Sequence, residues 1–270
     1  MRFFERQHRQ ILGGALALLG LGSAWAAEPL TLKTLQVCDD AAEWPPFTYF
    51  ARDASGKPRP EVMGYSVDVL RAILQTAGIQ LQVQLLPWVR CLREVESGGQ
   101  FLLAVNASAS PERQQRFWMT QPYYDITPTY FFSRKTFPNG VSIRSAADLR
   151  RYHVCGVHGY NYSFYGLTDA EVDRGALDFR RVIAKLHARR CEIGLQELEA
   201  VAGLKKIGPD VLADPDLGWA EVPGLPKGEF HMLVTRQHPQ GEALYQFLNQ
   251  GIKTLRDSGK LQELRRRYLP

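Results

Sequence analysis

Cysteine and histidine are scarce in this 270-residue chain, at four and six residues, and long apolar runs are scarcer still. The longest, Ile11 to Gly22, falls short of the roughly 20 residues that a membrane-spanning helix needs. No two cysteines stand in CxxC spacing, there is no HExxH, and the histidines form no ligand-spaced cluster, so no metal site is expected. Internal repeats and low-complexity tracts are absent. Gly64-Tyr-Ser66-Val-Asp68 lacks the second glycine of a GxSxG elbow, and no serine, histidine and acid are spaced to suggest a triad. Neither sign of charge dominates at a formal +5. The densest basic clusters, Arg189-Arg190 and Arg265-Arg266-Arg267, are short and lie near predicted helix ends, where they suit the helix dipole. Nucleic acid is therefore not an expected partner.

What is present begins with a leader. Arg2, Arg6 and Arg9 precede the apolar run, and Ala24-Trp25-Ala26 follows it as a small-x-small cleavage pattern. Residues 1–26 read as a secretory signal peptide cut after Ala26 or Ala27, with no cysteine there to accept a lipid. The expectation is a free, soluble periplasmic protein. Losing the leader's three arginines and one glutamate brings the charge to +3. The remainder is long for one domain and comfortable for two of roughly 100 to 150 residues. In an exported chain the four cysteines read as two disulfides. Of three possible pairings, Cys38 with Cys91 and Cys155 with Cys191 is preferred, because each pair stays inside one expected domain; four free buried thiols are the alternative.

Residues 32–37 suit a strand, and prolines in Trp44-Pro45-Pro46-Phe47 keep 39–50 a loop. Ser66 is placed to cap a helix that Gly78 ends. Ile79, Leu81, Val83 and Leu85 alternate with glutamines as a strand, Pro87 opens a helix running to Gly98, and 101–105 is a buried strand. Tyr130 to Phe132 reads as another strand. A second series follows: helix 146–150, strand 153–157, helix 182–189 and strand 191–195, before a final strand at 230–235 and helices from 241 to near Tyr268. This order predicts an α/β protein of two doubly wound domains, with residues 28–132 plus 231–270 forming domain I and 133–230 domain II. The two would be joined by crossing strands near Tyr130 and Phe230. In such sheets ligands bind at the carboxyl ends of the strands.

The sharpest local signal is Asn106-Ala-Ser108-Ala-Ser110-Pro111-Glu112-Arg113, a strand end running into a helix capped by Ser110. A cation in a first turn opposes the helix dipole. Arg113 must then either pair with an acid such as Glu112 or face an anion that free backbone N–H groups also bind. A guanidinium fork suits a carboxylate.

Several blocks agree in order with a known family. Trp44-Pro-Pro-Phe47 is similar to its aromatic-x-Pro-Phe loop and Gly64-Tyr-Ser-Val-Asp68 to its Gly-aromatic-x-x-Asp helix start. Ser110-Pro-Glu-Arg113 with Gln121-Pro-Tyr-Tyr124 resembles its Thr-x-Glu-Arg and x-Pro-Tyr pair, and Gly156-Val-His-Gly159 its second-domain turn. Over essentially the whole mature length the chain resembles family 3 of the bacterial extracellular solute-binding proteins, polar amino-acid binders of ABC importers with the type II periplasmic-binding-protein fold.

The resemblance implies a cleft ligand whose carboxylate meets Arg113, helped by Ser108 and Asn106, with Glu197 in the place of the acid for the α-ammonium. Family members usually carry aspartate there. Tyr160 and Asn161 stand where small hydroxyl residues are usual, and Trp44 and Trp88 correspond to side chains flanking the ligand. Asp39, Asp40 and Arg90 are placed to contact a side chain of the ligand but read equally well as solvated loop charges, and are left out of the site. The resemblance further implies a monomer without cofactor that docks the membrane subunits of an ABC transporter. A ligand sensor, or a dehydratase-like enzyme using Glu197 as its acid, is the alternative.

Overall fold

The computed structural model describes residues 30–269, and the expected leader lies outside them. In chain order the first elements are β1 (Thr34–Asp40), the hairpin β2 (Tyr49–Arg52) and β3 (Pro58–Met63), α1 (Tyr65–Gln75), β4 (Gln80–Leu86), α2 (Trp88–Ser97), β5 (Leu103–Ser108), α3 (Pro111–Arg116), β6 (Phe117–Met119) and β7 (Tyr124–Ile126). Next come β8 (Pro128–Ser133), β9 (Val154–Val157), β10 (Val172–Ala176), α4 (Phe179–His187), β11 (Ile193–Glu197), α5 (Leu198–Gly203) and β12 (Leu217–Glu221). The chain closes with β13 (Gly228–Thr235), α6 (Gly241–Asp257) and α7 (Lys260–Tyr268).

Two sheets organise these elements. The first has order β4-β1-β5-β13-β6, with β7 also on β13; the second has order β10-β9-β11-β8-β12. β1 runs parallel to both β4 and β5, and β9 parallel to both β10 and β11. The glutamines that alternate in β4 point to solvent at a sheet edge, as a period of two predicts, whereas Leu35 and Val37 of interior β1 are fully buried. Helices α1, α6 and α7 cover one face of the first sheet with Leu70, Ile73, Leu244, Leu248 and Leu264. In the second, Val182, Ile183 and Leu186 of α4 pack on Val157 and Phe131.

The chain passes between the sheets twice, at 127 and over 222–227. The first crossing is tied down: the Glu199 carboxylate accepts the Thr127 N–H (2.7 Å) and hydroxyl (2.9 Å), and the Thr127 carbonyl accepts Leu198 N–H (2.9 Å). Both disulfides pair as preferred, with Cα atoms 5.7 Å apart for Cys38–Cys91 and 5.9 Å for Cys155–Cys191. Each stays within one sheet and its helices.

Four expectations need correction. The break after residue 132 falls inside the second sheet, because β8 is hydrogen-bonded along its length to β11 and β12. Ser66 does not cap α1, which begins at Tyr65 after Gly64; its hydroxyl turns inward to Asn106 instead (2.6 Å). Residues 39–50 are not all loop, since β1 runs through Asp40 and β2 begins at Tyr49. The short helix at 146 is a 3₁₀ turn closed by a Ser145–Asp148 capping box.

Candidate ligand site between the lobes

The carboxyl ends of β1, β5, β9 and β11 face one another across the gap between the sheets, and each strand delivers polar residues just where its ladder stops. β1 ends in Asp39 and Asp40, β5 in Asn106 and Ser108, and β11 in Gln196 and Glu197, while the loop after β9 supplies Tyr160 and Asn161. These line a small cavity of about 40 Å³ with Trp44, Trp88, Arg113, Tyr162 and Phe230. All eight side chains singled out from the sequence are therefore brought together, and Asp39, Asp40, Gln196, Tyr162 and Phe230 join them.

Arg113 is buried at 6% exposure. Ser110 caps α3 by accepting the Arg113 N–H (3.2 Å), which turns the guanidinium back over the end of β5. Its Nη1 donates to the Ser108 carbonyl (2.9 Å) and hydroxyl (3.1 Å), and its Cζ lies 5.5 Å from the centre of the Trp88 ring. The adjacent acid is taken: Glu112 bonds Arg116, which also holds Glu96. Among the described residues no carboxylate comes within ion-pair distance of Arg113. Burial holds its pKa down to about 10, so the cavity contains a desolvated cation without a counter-ion.

The acids divide by role. Glu197, half-buried on the opposite wall, is pushed up to about 7 by burial. Asp39 is likewise raised to about 7 by burial, yet it is part of the scaffold. It accepts Thr48 Oγ1 and Asn106 Nδ2, the latter at 2.5 Å, while Asn106 Oδ1 accepts hydroxyls from Ser66, Tyr123 (2.8 Å) and Tyr124 (2.9 Å). Asn106 holds this network in left-handed backbone geometry at φ 58°. Both ends of its amide are thus occupied, and the residue fixes the cavity floor rather than offering a free group. Asp40 is raised by burial and accepts Tyr160 OH (2.8 Å) and Ala42 N–H (3.0 Å). The reading of Asp39 and Asp40 as solvated loop charges is thereby overturned, since both are buried at the end of β1. Arg90 does point outward, toward Glu94.

Trp44 donates Nε1–H to Tyr124 OH (3.2 Å), stacks on Phe230 and meets the Tyr160 ring edge-on at 5.6 Å. Asn161 reaches from the second lobe to Ser108 Oγ (3.2 Å) and the Ala109 carbonyl (2.9 Å). Away from the cleft, His187 bridges Ser133 (3.2 Å) and Asp214 (2.9 Å), a serine–histidine–acid alignment the sequence did not suggest. Ser133 is 1% exposed, so no substrate reaches its hydroxyl, and the trio ties the end of α4 to β8.

The arrangement of two α/β lobes with a cleft at their strand ends matches known proteins. Residues 35–270 fit the model of the bacterial extracellular solute-binding proteins, family 3. The chain belongs to this family. Among solved structures, the substrate-binding protein of an amino acid ABC transporter is similar at 18% identity and TM-score 0.67, covering 87% of this chain and 99% of that one. A Salmonella typhimurium periplasmic binding protein described as having high arginine specificity is 16% identical, with TM-score 0.63 and coverages of 88% and 100%. A histidine kinase sensor domain similar to periplasmic binding proteins is 19% identical, with TM-score 0.67 and coverages of 88% and 96%. No curated protein matches. These likenesses establish the type II periplasmic-binding-protein fold for this family 3 solute-binding protein, and the family is extracellular by description.

Proposed function

We propose that this solute-binding protein captures an α-amino acid in the cleft and presents it to the membrane subunits of an ABC importer. One observation carries the reading: Arg113 is a buried guanidinium without a counter-ion among the described residues, lining the same cavity as Glu197 of the opposite lobe. A zwitterion answers both walls at once. Its carboxylate takes the arginine fork and Ser108, its ammonium takes Glu197, and closure of the lobes removes it from water. Residues 30–127 with 228–269 would move as one domain and 128–222 as the other, about the crossings at 127 and 222–227. The transporter role is supported by family membership and by the similar protein from an amino acid importer.

The test is a thermal-shift screen of the exported protein against the amino acids and small carboxylates, since a ligand at 100 times its dissociation constant stabilises by about 2.7 kcal/mol. A shift with α-amino acids that disappears in Arg113→Met supports the reading; an unaltered shift in that variant overturns it. The raised pKa of Glu197 favours catalysis as a second reading, because a carboxyl half-protonated near neutrality suits a general acid. Consumption of a bound ligand over hours would identify an enzyme.

A further inference from the structure

Tyr160, an aromatic side chain of the second lobe, reaches into the first lobe's half of the cleft. Its ring packs against all four of the protein's apolar clusters, stands edge-on to Trp44 at 5.6 Å, and donates its hydroxyl to Asp40 at 2.8 Å. Asp40 is thereby used up holding the phenol. The ring's position is enforced from behind: Gly159, at φ 77°, lies so close to Val89 and Trp88 that the turn carrying Tyr160 is pressed against the start of α2. Asn161, the next residue, is bonded to Ser108 and Ala109.

Two spaces adjoin this ring. The Arg113 cavity measures about 40 Å³, and on its other side lies a cavity of about 250 Å³ lined by Ala41, Ala42, Pro45, Phe179, Val201 and Leu204 among others. Trp44, Tyr160 and Gln196 line both. Trp44 is anchored by Tyr124 and Phe230. Gln196 is 5% exposed, and its side-chain amide has no hydrogen-bond partner among the described residues. The Arg113 cavity is much the smaller of the two, which suits the head of an amino acid with little beyond it.

We infer that Tyr160 is the size filter of this site: its ring fills the space where a ligand's side chain would lie, restricting the protein to amino acids with short side chains such as glycine, alanine or serine. This rests on the amino-acid reading above and narrows it. With the ring removed, the two cavities merge, Asp40 is released, and the unpartnered Gln196 amide becomes available to a longer ligand.

Titration calorimetry of the full exported protein and of Tyr160→Ala, Tyr160→Leu and Tyr160→Phe, each shown folded by its thermal melt, tests the filter. The probes are glycine, alanine, serine, phenylalanine, lysine and arginine. Wild type should prefer the best small ligand over every large one by about tenfold or more, the usual penalty for forcing methylenes into a packed site. Tyr160→Ala should narrow or reverse that ratio by about tenfold, Tyr160→Leu should do so in part, and Tyr160→Phe should keep it, because the ring and not the hydroxyl excludes. Wild type binding arginine or phenylalanine as tightly as alanine, or a ratio unchanged in both shortened variants, overturns the filter alone. Silence from every amino acid in all four proteins overturns the amino-acid reading and the filter together.

Discussion

Replacing Arg113 with methionine should separate binding from stability. The substitution keeps an apolar stem against Trp88 and deletes a cation whose pKa burial lowers from the ordinary arginine value to about 10. At about 1.4 kcal/mol per pH unit, holding that charge in the empty cleft costs roughly 3 kcal/mol. The variant also loses two charged hydrogen bonds to Ser108, each contributing about 1.5 to 3 kcal/mol. These effects oppose each other, so the unliganded Tm should move by only a few degrees in either direction. Binding has no such compensation. A ligand carboxylate left buried without its partner should lose about 2 to 5 kcal/mol, roughly 30-fold to several thousand-fold in Kd. Differential scanning fluorimetry gives the first quantity and calorimetry the second. A fall of about 10 °C in the unliganded melt with affinity retained within about threefold would refute the assignment, because it would make Arg113 a structural cation.

Four further outcomes follow from the structure. Ammonium pairs with Glu197 only as the carboxylate, and burial pushes that group up to about 7, so affinity should rise up to about tenfold per pH unit toward pH 7 and level off above it; a Kd flat between about pH 5 and 8 speaks against the pair. The sign for folding is opposite: raised carboxyls at Asp39 and Glu197 stabilise the empty protein below the ordinary carboxylate range, and that stability is lost as pH rises through about 7, which melts across pH will show. Asn106→Ala strands the buried partners Asp39, Thr48, Ser66, Tyr123 and Tyr124 and should cost about 3 kcal/mol or more, seen as a Tm drop of about 6 °C or more. Cys38→Ala with Cys91→Ala opens a loop of 53 residues and should remove about 4 kcal/mol, measured by denaturant unfolding.

Much of this could be read from residue order because local signals and tertiary demands coincide. The glutamine alternation of β4, the buried run of β5 and the Ser110-Pro111 start of α3 each declare themselves within a few residues. The eight side chains singled out were reached through the family resemblance, and they meet at one cavity because strand ends in a parallel sheet converge wherever helices return the chain. What stayed hidden depends on partners far away. Residues 130–132 look like a strand, but the membership of 128–133 in the second sheet is decided by pairing with 193–197 and 217–221. Asp39 and Asp40 carry the composition of a loop, and only the hydroxyls and amide supplied from residues 48, 106 and 160 make their burial tolerable. Ser66 has the right residue type for a cap, yet Asn106 competes for its hydroxyl and wins.

The Asn106 network fixes when the floor of the cleft becomes ordered. One amide joins the ends of β1 and β5, the loop at Thr48, the start of α1 and the tyrosines at the start of β7, so five chain segments are held where it forms. Their conformational entropy is lost during folding, before any solute arrives. A ligand landing on this half of the cleft meets a surface already in its final shape, and the entropy still to be lost on capture is confined to the solute itself and to the joining of the two halves.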